Sequence, residues 1–337
     1  MKNLIKKFIK KTLLVEDAMP LFQKNNIKLN KGVQFNLYQF NKQNKNKIIY
    51  IIKRSPGAGL FSNVIYVLNH LEIADKNGFY PIVDMKNFTT IYNEKLKISD
   101  TYNAWEYYFD NVSKLKLNEA YKSKNVIITN DKFFKNFSNI VANKKFRRLG
   151  KKYFKIKKKF IEEANKFCKE KLKDKTLAIH YRGTSYKTSA NHPFPSTHSQ
   201  TIKYTKYLLK KYKYKKIFLC TEDLGFFKEM HNSFKKNLYF INTYRSKKND
   251  AFKIFPRKNH RYNLGKEILL EALIISKCEG FLHAKTNVSE FVKFLDEKNK
   301  IKYFTLYNGF NTSNEYLAPY MWHYKNLAPK FLGGFKK

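Results

Sequence analysis

Between residues 176 and 307 the sequence alternates between two patterns, and this alternation restricts the fold more than any other feature. Short apolar runs, TLAIHYR, KKIFLCT, NLYFINT, GFLHAK and IKYFTLY, are separated by helix-like stretches near 198–212, 223–234, 262–277 and 287–296. Near-continuous apolar strands joined by helices are buried on both faces, which requires a parallel sheet covered by helices. An earlier block repeats the order less regularly. KIIYIIKR (47–54) reads as a strand, PGAGLFSN as a turn and NVIYVLNHLEIADKNG as a helix, followed by strands at YPIVDM (80–85) and NVIITND (125–131). Lys151–Lys173 reads as one long, lysine-studded helix. The expected organisation is a basic amphipathic segment at 1–45, a Rossmann-like domain at 46–150, a connecting helix at 151–173 and a second such domain at 174–310. A C-terminal segment, 311–337, is expected to return toward the first domain. Two α/β units of this kind imply a ligand cleft between them.

Charge separates function classes less sharply than its size suggests. A net charge of +42 would ordinarily indicate a polyanion partner. The lysines, however, are spread evenly among Asn, Ile, Phe and Tyr, and no recognised nucleic-acid module appears, so nucleic acid is disfavoured as a partner. An anionic membrane surface remains compatible with the balance. Leu4–Leu14 has amphipathic helical spacing and suits such a surface, or equally the protein itself. The start lacks a signal-peptide h-region, and no apolar run reaches the ~20 residues of a membrane span. The expected location is therefore cytoplasmic, with peripheral attachment to the inner membrane face as the alternative to free solution. Cys168, Cys220 and Cys278 have neither CxxC nor Cys/His spacing, which argues against a disulfide frame and against a metal site.

The chemistry-bearing residues gather where the strands end. His180 and Arg182 follow the first strand of the second block, and Thr221, Glu222 and Asp223 the second. Asn242, Thr243 and Arg245 follow the third; Lys285, Thr286, Asn287 and Ser289 the fourth. Carboxyl ends of parallel strands form the ligand edge of an open sheet. Asn287 with Glu290 resembles a capping box; the same helix start can seat a phosphate on its free N–H groups, with Lys285 beside it. Arg182 can clamp a phosphate through two parallel hydrogen bonds, and Gly183 after it permits close backbone approach. In the first block, Gly57 and Gly59 form the turn bordered by Arg54 and Asn63. They allow either a tight turn or the approach of a sugar ring, and as a dinucleotide motif they are weak.

HYRGTS with LCTED and LLEALIISKCEGFLHAKTNVSEF resembles the HxRxxD superfamily of fucosyltransferases, which includes the nodulation and core α-1,6-fucosyltransferases and the protein O-fucosyltransferases. The likeness covers about 180–295, with GAGLFSNVIYVLNHLEIAD and NAWEYYF as looser echoes. It implies a GT-B-like fold, two Rossmann-like units facing across a cleft, with the donor on the second and the acceptor on the first. It also implies a GDP-sugar donor, inversion at the anomeric carbon and no metal or cofactor. Carried over by residue, Arg182 binds the donor β-phosphate, His180 lies against the nucleotide, Thr286 and Asn287 seat the pyrophosphate, and Glu271 meets the guanine edge. Glu271 read on its own is equally a helix-surface charge.

One departure bears on catalysis. The family's acidic position is Ser185, and no acid occurs between Arg182 and Glu222. An inverting transfer needs a base for the acceptor hydroxyl unless the leaving diphosphate suffices. Candidates are His192 and His198, or Asp84, Glu94 and Glu106; His192 and Asp84 are carried forward beside Arg182. Tyr102, Trp105, Tyr107 and Tyr108 suit an acceptor stacking platform or, alternatively, core packing. The expected activity is transfer of a fucose-like or other GDP-linked sugar to a surface glycan or its lipid-linked precursor. The alternatives are a basic nucleic-acid-binding protein and a nucleotide-sugar-binding protein without turnover.

Overall fold

The computed structural model describes residues 25–28, 34–129 and 144–335. The chain forms two compact units: Met1–Lys158 with Asn259–Gly265, and Lys159–Lys258 with Lys266–Lys337. Leu4–Leu14 lies outside the described residues.

The first unit holds a five-stranded sheet in the order β1-β2-β5-β3-β4, formed by β1 (Asn25–Lys28), β2 (Gln34–Tyr38), β3 (Gln43–Ile52), β4 (Tyr80–Val83) and β5 (Ser123–Ile128). β3 runs parallel to both β4 and β5, whereas β2 pairs antiparallel with β5 and β1. Helix α1 (Leu60–Lys76) connects β3 to β4. It packs Val64, Tyr66, Val67 and Leu71 with essentially no exposure. Short helices α2 (Ala104–Tyr108) and α3 (Leu117–Ala120) precede β5.

The expected single helix over 151–173 is two helices, α4 (Lys144–Tyr153) and α5 (Lys158–Lys171). The break has a tertiary cause. Asp110 donates its backbone N–H to the Lys155 carbonyl and Lys157 donates to the Tyr108 carbonyl, drawing residues 154–157 into an extended bridge with 108–110.

The second unit holds a fully parallel sheet in the order β10-β9-β6-β7-β8. Its strands are β6 (Thr176–Tyr181), β7 (Lys216–Thr221), β8 (Leu238–Tyr239), β9 (Gly280–His283) and β10 (Lys302–Thr305). The helices are α6 (His198–Tyr212), α7 (Leu224–Phe234), α8 (His260–Ile275), whose residues up to Gly265 group with the first unit, and α9 (Asn287–Leu295). β6 lies at the centre with every residue buried, and the core around it includes Leu177, Ile179, Leu208, Ile217, Leu219, Phe226 and Met230. The C-terminal segment groups with the second unit and not with the first, as the sequence had suggested. Helix α10 (Ala318–Leu327) is held there by Trp322, which is buried and donates its indole N–H to the Pro195 carbonyl at 3.1 Å. The Lys187 ammonium lies over the Trp322 ring.

Candidate functional site

The site is built on the carboxyl edge of β6 and β9, which are adjacent and parallel, with His180 opposite His283 in register. Arg182 leaves this edge two residues beyond His180, and α9 begins four residues beyond His283. Both features therefore belong to neighbouring strand ends of one sheet.

Arg182 is half-buried. Its guanidinium lies 4.7 Å from the centre of the Tyr186 ring and makes one long contact, 3.4 Å, with the Ser185 hydroxyl. Among the described residues no carboxylate pairs with it. A guanidinium stacked on an aromatic face keeps its N–H groups directed outward along its edge. The same Tyr186 ring packs against the His192 imidazole, with ring centres 4.9 Å apart. Tyr186 thus brings Arg182 and His192 to one place. Sequence reasoning missed Tyr186; its spacing of four from Arg182 was the only available signal.

His192 is exposed, and its Nδ1 lies 2.7 Å from the Ala190 carbonyl. A carbonyl can only accept, so Nδ1 carries the proton and Nε2 carries the lone pair in the neutral ring. The loop around it is tied down: Asn191 donates to the Thr312 carbonyl, Asn311 to that of His192, and Phe194 to that of Gly309. His198, the other loop candidate, is not a free base. Burial pulls its pKa down, but the carboxylates of Asp223, 3.8 Å from Nε2, and Glu229, 2.7 Å from Nδ1, more than offset this and raise it.

The start of α9 corrects the expected cap by one residue. Thr286, not Asn287, is the N-cap; its hydroxyl accepts from the Ser289 N–H, and the Ser289 hydroxyl accepts from the Thr286 N–H at 3.0 Å. The side chains of Thr286 and Ser289, both buried, close the first turn of the helix. Asn287 and Lys285 are exposed. What this end offers an anion is the first-turn backbone, Asn287 and the Lys285 ammonium.

Other expected donor contacts are occupied by the protein itself. Thr221 is buried and accepts from the Asp223 N–H, while Asp223 caps α7 through the Phe226 N–H and pairs with Lys187 at 3.1 Å. Burial would raise the Asp223 carboxyl, but His198, the Phe226 N–H and Lys187 outweigh it and hold the group well below its usual range. Gly183 makes room for protein and not for a ligand: a Cβ there would overlap Tyr181 and stand 2.5 Å from Asp223 Oδ2. His180 is closed off between β7 and β9. Burial, with Arg182 and His283 adding to it, lowers its pKa to about 3; burial also lowers His283 to about 4. Both are neutral rings at the strand edge, and His180, whose Nδ1 has no hydrogen-bond partner, lines one small cavity with Arg182.

Glu271 is the most unusual group of the edge. It is no helix-surface charge: it lies in α8 at 5% exposure, and Oε1 has no hydrogen-bond partner. Burial raises its pKa from 4.5 to about 8, with Arg245 pulling the other way. Glu222, which also pushes it up, accepts from the Thr184 N–H and hydroxyl beside Arg182, so Glu271 shares the electrostatics of the Arg182 turn. Arg245 itself is turned to the Thr243 and Ile241 carbonyls and packs on Phe227. A buried carboxyl with an unused oxygen is costly unless something completes it.

Most first-unit candidates prove to be architecture. Asp84 is fully buried, and its two oxygens accept from the Lys86 and Asn87 N–H groups, the Asn87 amide and the Tyr121 hydroxyl. It closes the turn after β4 and has no lone pair to give a substrate, so its assignment as a base is withdrawn. Glu106 accepts from Thr101 and Asn103, and Glu94 from the Tyr262 N–H. Trp105 is no acceptor platform: it is buried against Phe109 and Phe154 and donates to the Asp110 carbonyl. Tyr107 and Tyr108 are buried with it, and Tyr102 is exposed. Asn63 spends its amide on the Ala58 N–H and carbonyl, closing the turn in which Gly57 has φ +75°. Gly59 faces open space, and the half-buried Arg54 lies over the Tyr66 ring. Among the described residues no group of three His, Cys, Asp or Glu side chains could hold a metal ion.

The chain is similar in structure to solved fucosyltransferases. NodZ α-1,6-fucosyltransferase co-crystallised with GDP is 11% identical, with 74% of this chain and 93% of that one covered, at a TM-score of 0.48. NodZ from Bradyrhizobium is 10% identical over 73% and 92%, at 0.45. POFUT1 in its apo form is 11% identical over 76% and 97%, at 0.46. No family model and no curated protein matches the chain.

Proposed function

We propose that this protein is an inverting glycosyltransferase that moves a sugar from a GDP-linked donor to a glycan or lipid-linked glycan acceptor. The observation that carries the reading is the pairing of Arg182, without a carboxylate partner, with the exposed α9 start on adjacent strand ends of one parallel sheet. The HYRGTS motif, which resembles that of fucosyltransferases, supports assigning the same arginine to the donor phosphate. Glu271 supports guanine as the base: once ionised, its carboxylate accepts the paired N1–H and N2–H donors that uracil and adenine lack in that arrangement.

In the proposed reaction, His192 Nε2 takes the proton of the acceptor hydroxyl. The hydroxyl oxygen bonds to the anomeric carbon as the bond to the diphosphate oxygen breaks, and the configuration inverts. Negative charge grows on the departing GDP, where Arg182, Lys285 and the α9 start offset it. The reading uses no metal and no cofactor. The Ser185 hydroxyl, where related motifs carry an acid, leaves His192 as the base of this scheme.

The test is thermal stabilisation by GDP, UDP, CMP and ADP, followed by donor turnover. GDP is expected to stabilise most, and Arg182→Ala to lose ~2–4 kcal/mol of transition-state stabilisation. Turnover within threefold of wild type would remove Arg182 from the mechanism. Saturable GDP binding without hydrolysis or transfer would instead favour a nucleotide-sugar-binding protein.

A further inference from the structure

We infer that the outward face of α10 and the turn after it dock on an anionic lipid bilayer. The inner face of this helix is fixed by Ala318 and Trp322, both buried. The opposite face is apolar and uncovered. Tyr320 is 71% exposed and Leu327 69%, with Tyr324 between them, at the spacings of four and three that form one helical stripe. The stripe continues at both ends, through Tyr316 at 88% and Phe331 at 85%. The Tyr324 hydroxyl donates to the Leu332 carbonyl and the Lys325 ammonium to that of Gly333, so helix and turn form a single surface. Soluble proteins rarely leave an apolar patch of this extent without an interaction partner.

Charge selects the partner. On the described segment from Asn308 to Phe335 the lone acid, Glu315, stands against Lys325 and Lys330, on a chain whose net charge is +42. Such a face offers a protein partner almost nothing for its own cations, whereas a surface of uniform negative charge complements it. The side chains also fit a lipid interface: tyrosine places an apolar ring in the acyl boundary and its hydroxyl among headgroups, with lysines snorkelling beside it. Among the described residues no helix is long and apolar enough to cross a membrane, and α10 has ten residues, so this face lies on the surface. The docking face does not depend on the donor reading.

The full chain is sedimented with vesicles of phosphatidylglycerol and phosphatidylcholine, and with phosphatidylcholine alone, at 0.15 and 0.5 M NaCl. At the higher salt the screening length falls to about 4 Å, so lysine attraction weakens while ring insertion persists. Wild type is expected to bind the anionic vesicles at both salts. The combined variant Tyr316→Ser, Tyr320→Ser, Leu327→Ser and Phe331→Ser, with its melting temperature checked, is expected to bind at least tenfold more weakly. As a second readout, the indole introduced by Tyr320→Trp should be quenched by brominated lipid in anionic vesicles, beyond any quenching seen in wild type. The inference is overturned by equal binding of the serine variant and wild type, by loss of wild-type binding at 0.5 M NaCl, or by the absence of that added quenching. Wild-type self-association that the serine variant abolishes would overturn it too, in favour of a second copy of the chain.

Discussion

Glu271→Gln should change how the protein's stability responds to pH. The wild-type carboxyl has a folded pKa raised from 4.5 to about 8, chiefly by burial. Below pH 4.5 both folded and unfolded chains hold the proton and Glu271 contributes no pH dependence. Between 4.5 and 8 the unfolded chain releases the proton while the folded chain keeps it, so each rise in pH favours unfolding. Above about 8 both are ionised and the penalty is complete. At 1.36 kcal/mol per unit the full loss is on the order of 5 kcal/mol. Glutamine fills the same volume and cannot ionise. Urea unfolding of both proteins at pH 5, 7 and 9 isolates the effect, since other titrating groups cancel in the difference. The gap should shift in favour of glutamine by about 3 kcal/mol from pH 5 to 7, and further by pH 9. Added GDP should stabilise wild type increasingly as the pH rises, because the ionised carboxylate is the form that accepts the guanine donors; the glutamine variant should lack this trend. Free energies that move in parallel for the two proteins would refute the burial argument.

Three further outcomes follow from the same geometry. His192→Gln should lower turnover by ~10²–10⁴-fold while leaving GDP affinity within twofold, checked by transfer assay and calorimetry; loss of binding instead would make His192 part of the donor seat. Asp84→Asn should cost about 2–4 kcal/mol of stability, since an amide cannot accept all four hydrogen bonds made to the carboxylate, with the activity of the folded fraction retained. Gly183→Ala should destabilise the second unit by about 1–3 kcal/mol through overlap with Tyr181 and Asp223, read as a fall in melting temperature.

The parallel sheet of the second unit was legible because its strands are short apolar runs that alternate with stretches of helix length. Strands β6, β7 and β9 end where the polar residues begin, so the ligand edge could be read along with the fold. β1 and β2 were not, since NNIK is mostly polar and QFNLY alternates over only five residues; β2 gains strand form by pairing onto β5, and β1 by pairing onto β2. The break between α4 and α5 arises from residues 108–110, distant in sequence. For the proposed site, what the sequence placed correctly is the position of Arg182 and the α9 start after adjacent strands. It was not legible at Glu271, because a carboxylate in LLEALII is equally suited to a solvent face until the packing around α8 is known. Asp84, Thr221 and Asp223 have the residue types of a catalytic edge, but each is consumed by a turn or cap that the sequence expresses only as neighbouring polar residues. Trp105 was left open between acceptor platform and core because aromatic clusters look alike whether they face a sugar or each other.

The lacing of the His192 loop to residues 309–312 has a mechanical result. Those residues run directly into α10, whose Trp322 is bonded to Pro195 on the same loop. A load applied to the outer stripe of α10 is therefore borne by the backbone that carries the imidazole. Anything that grips the tail also sets the posture of His192, the proposed base, and a fusion or truncation near the carboxyl end should lower turnover if that proposal holds.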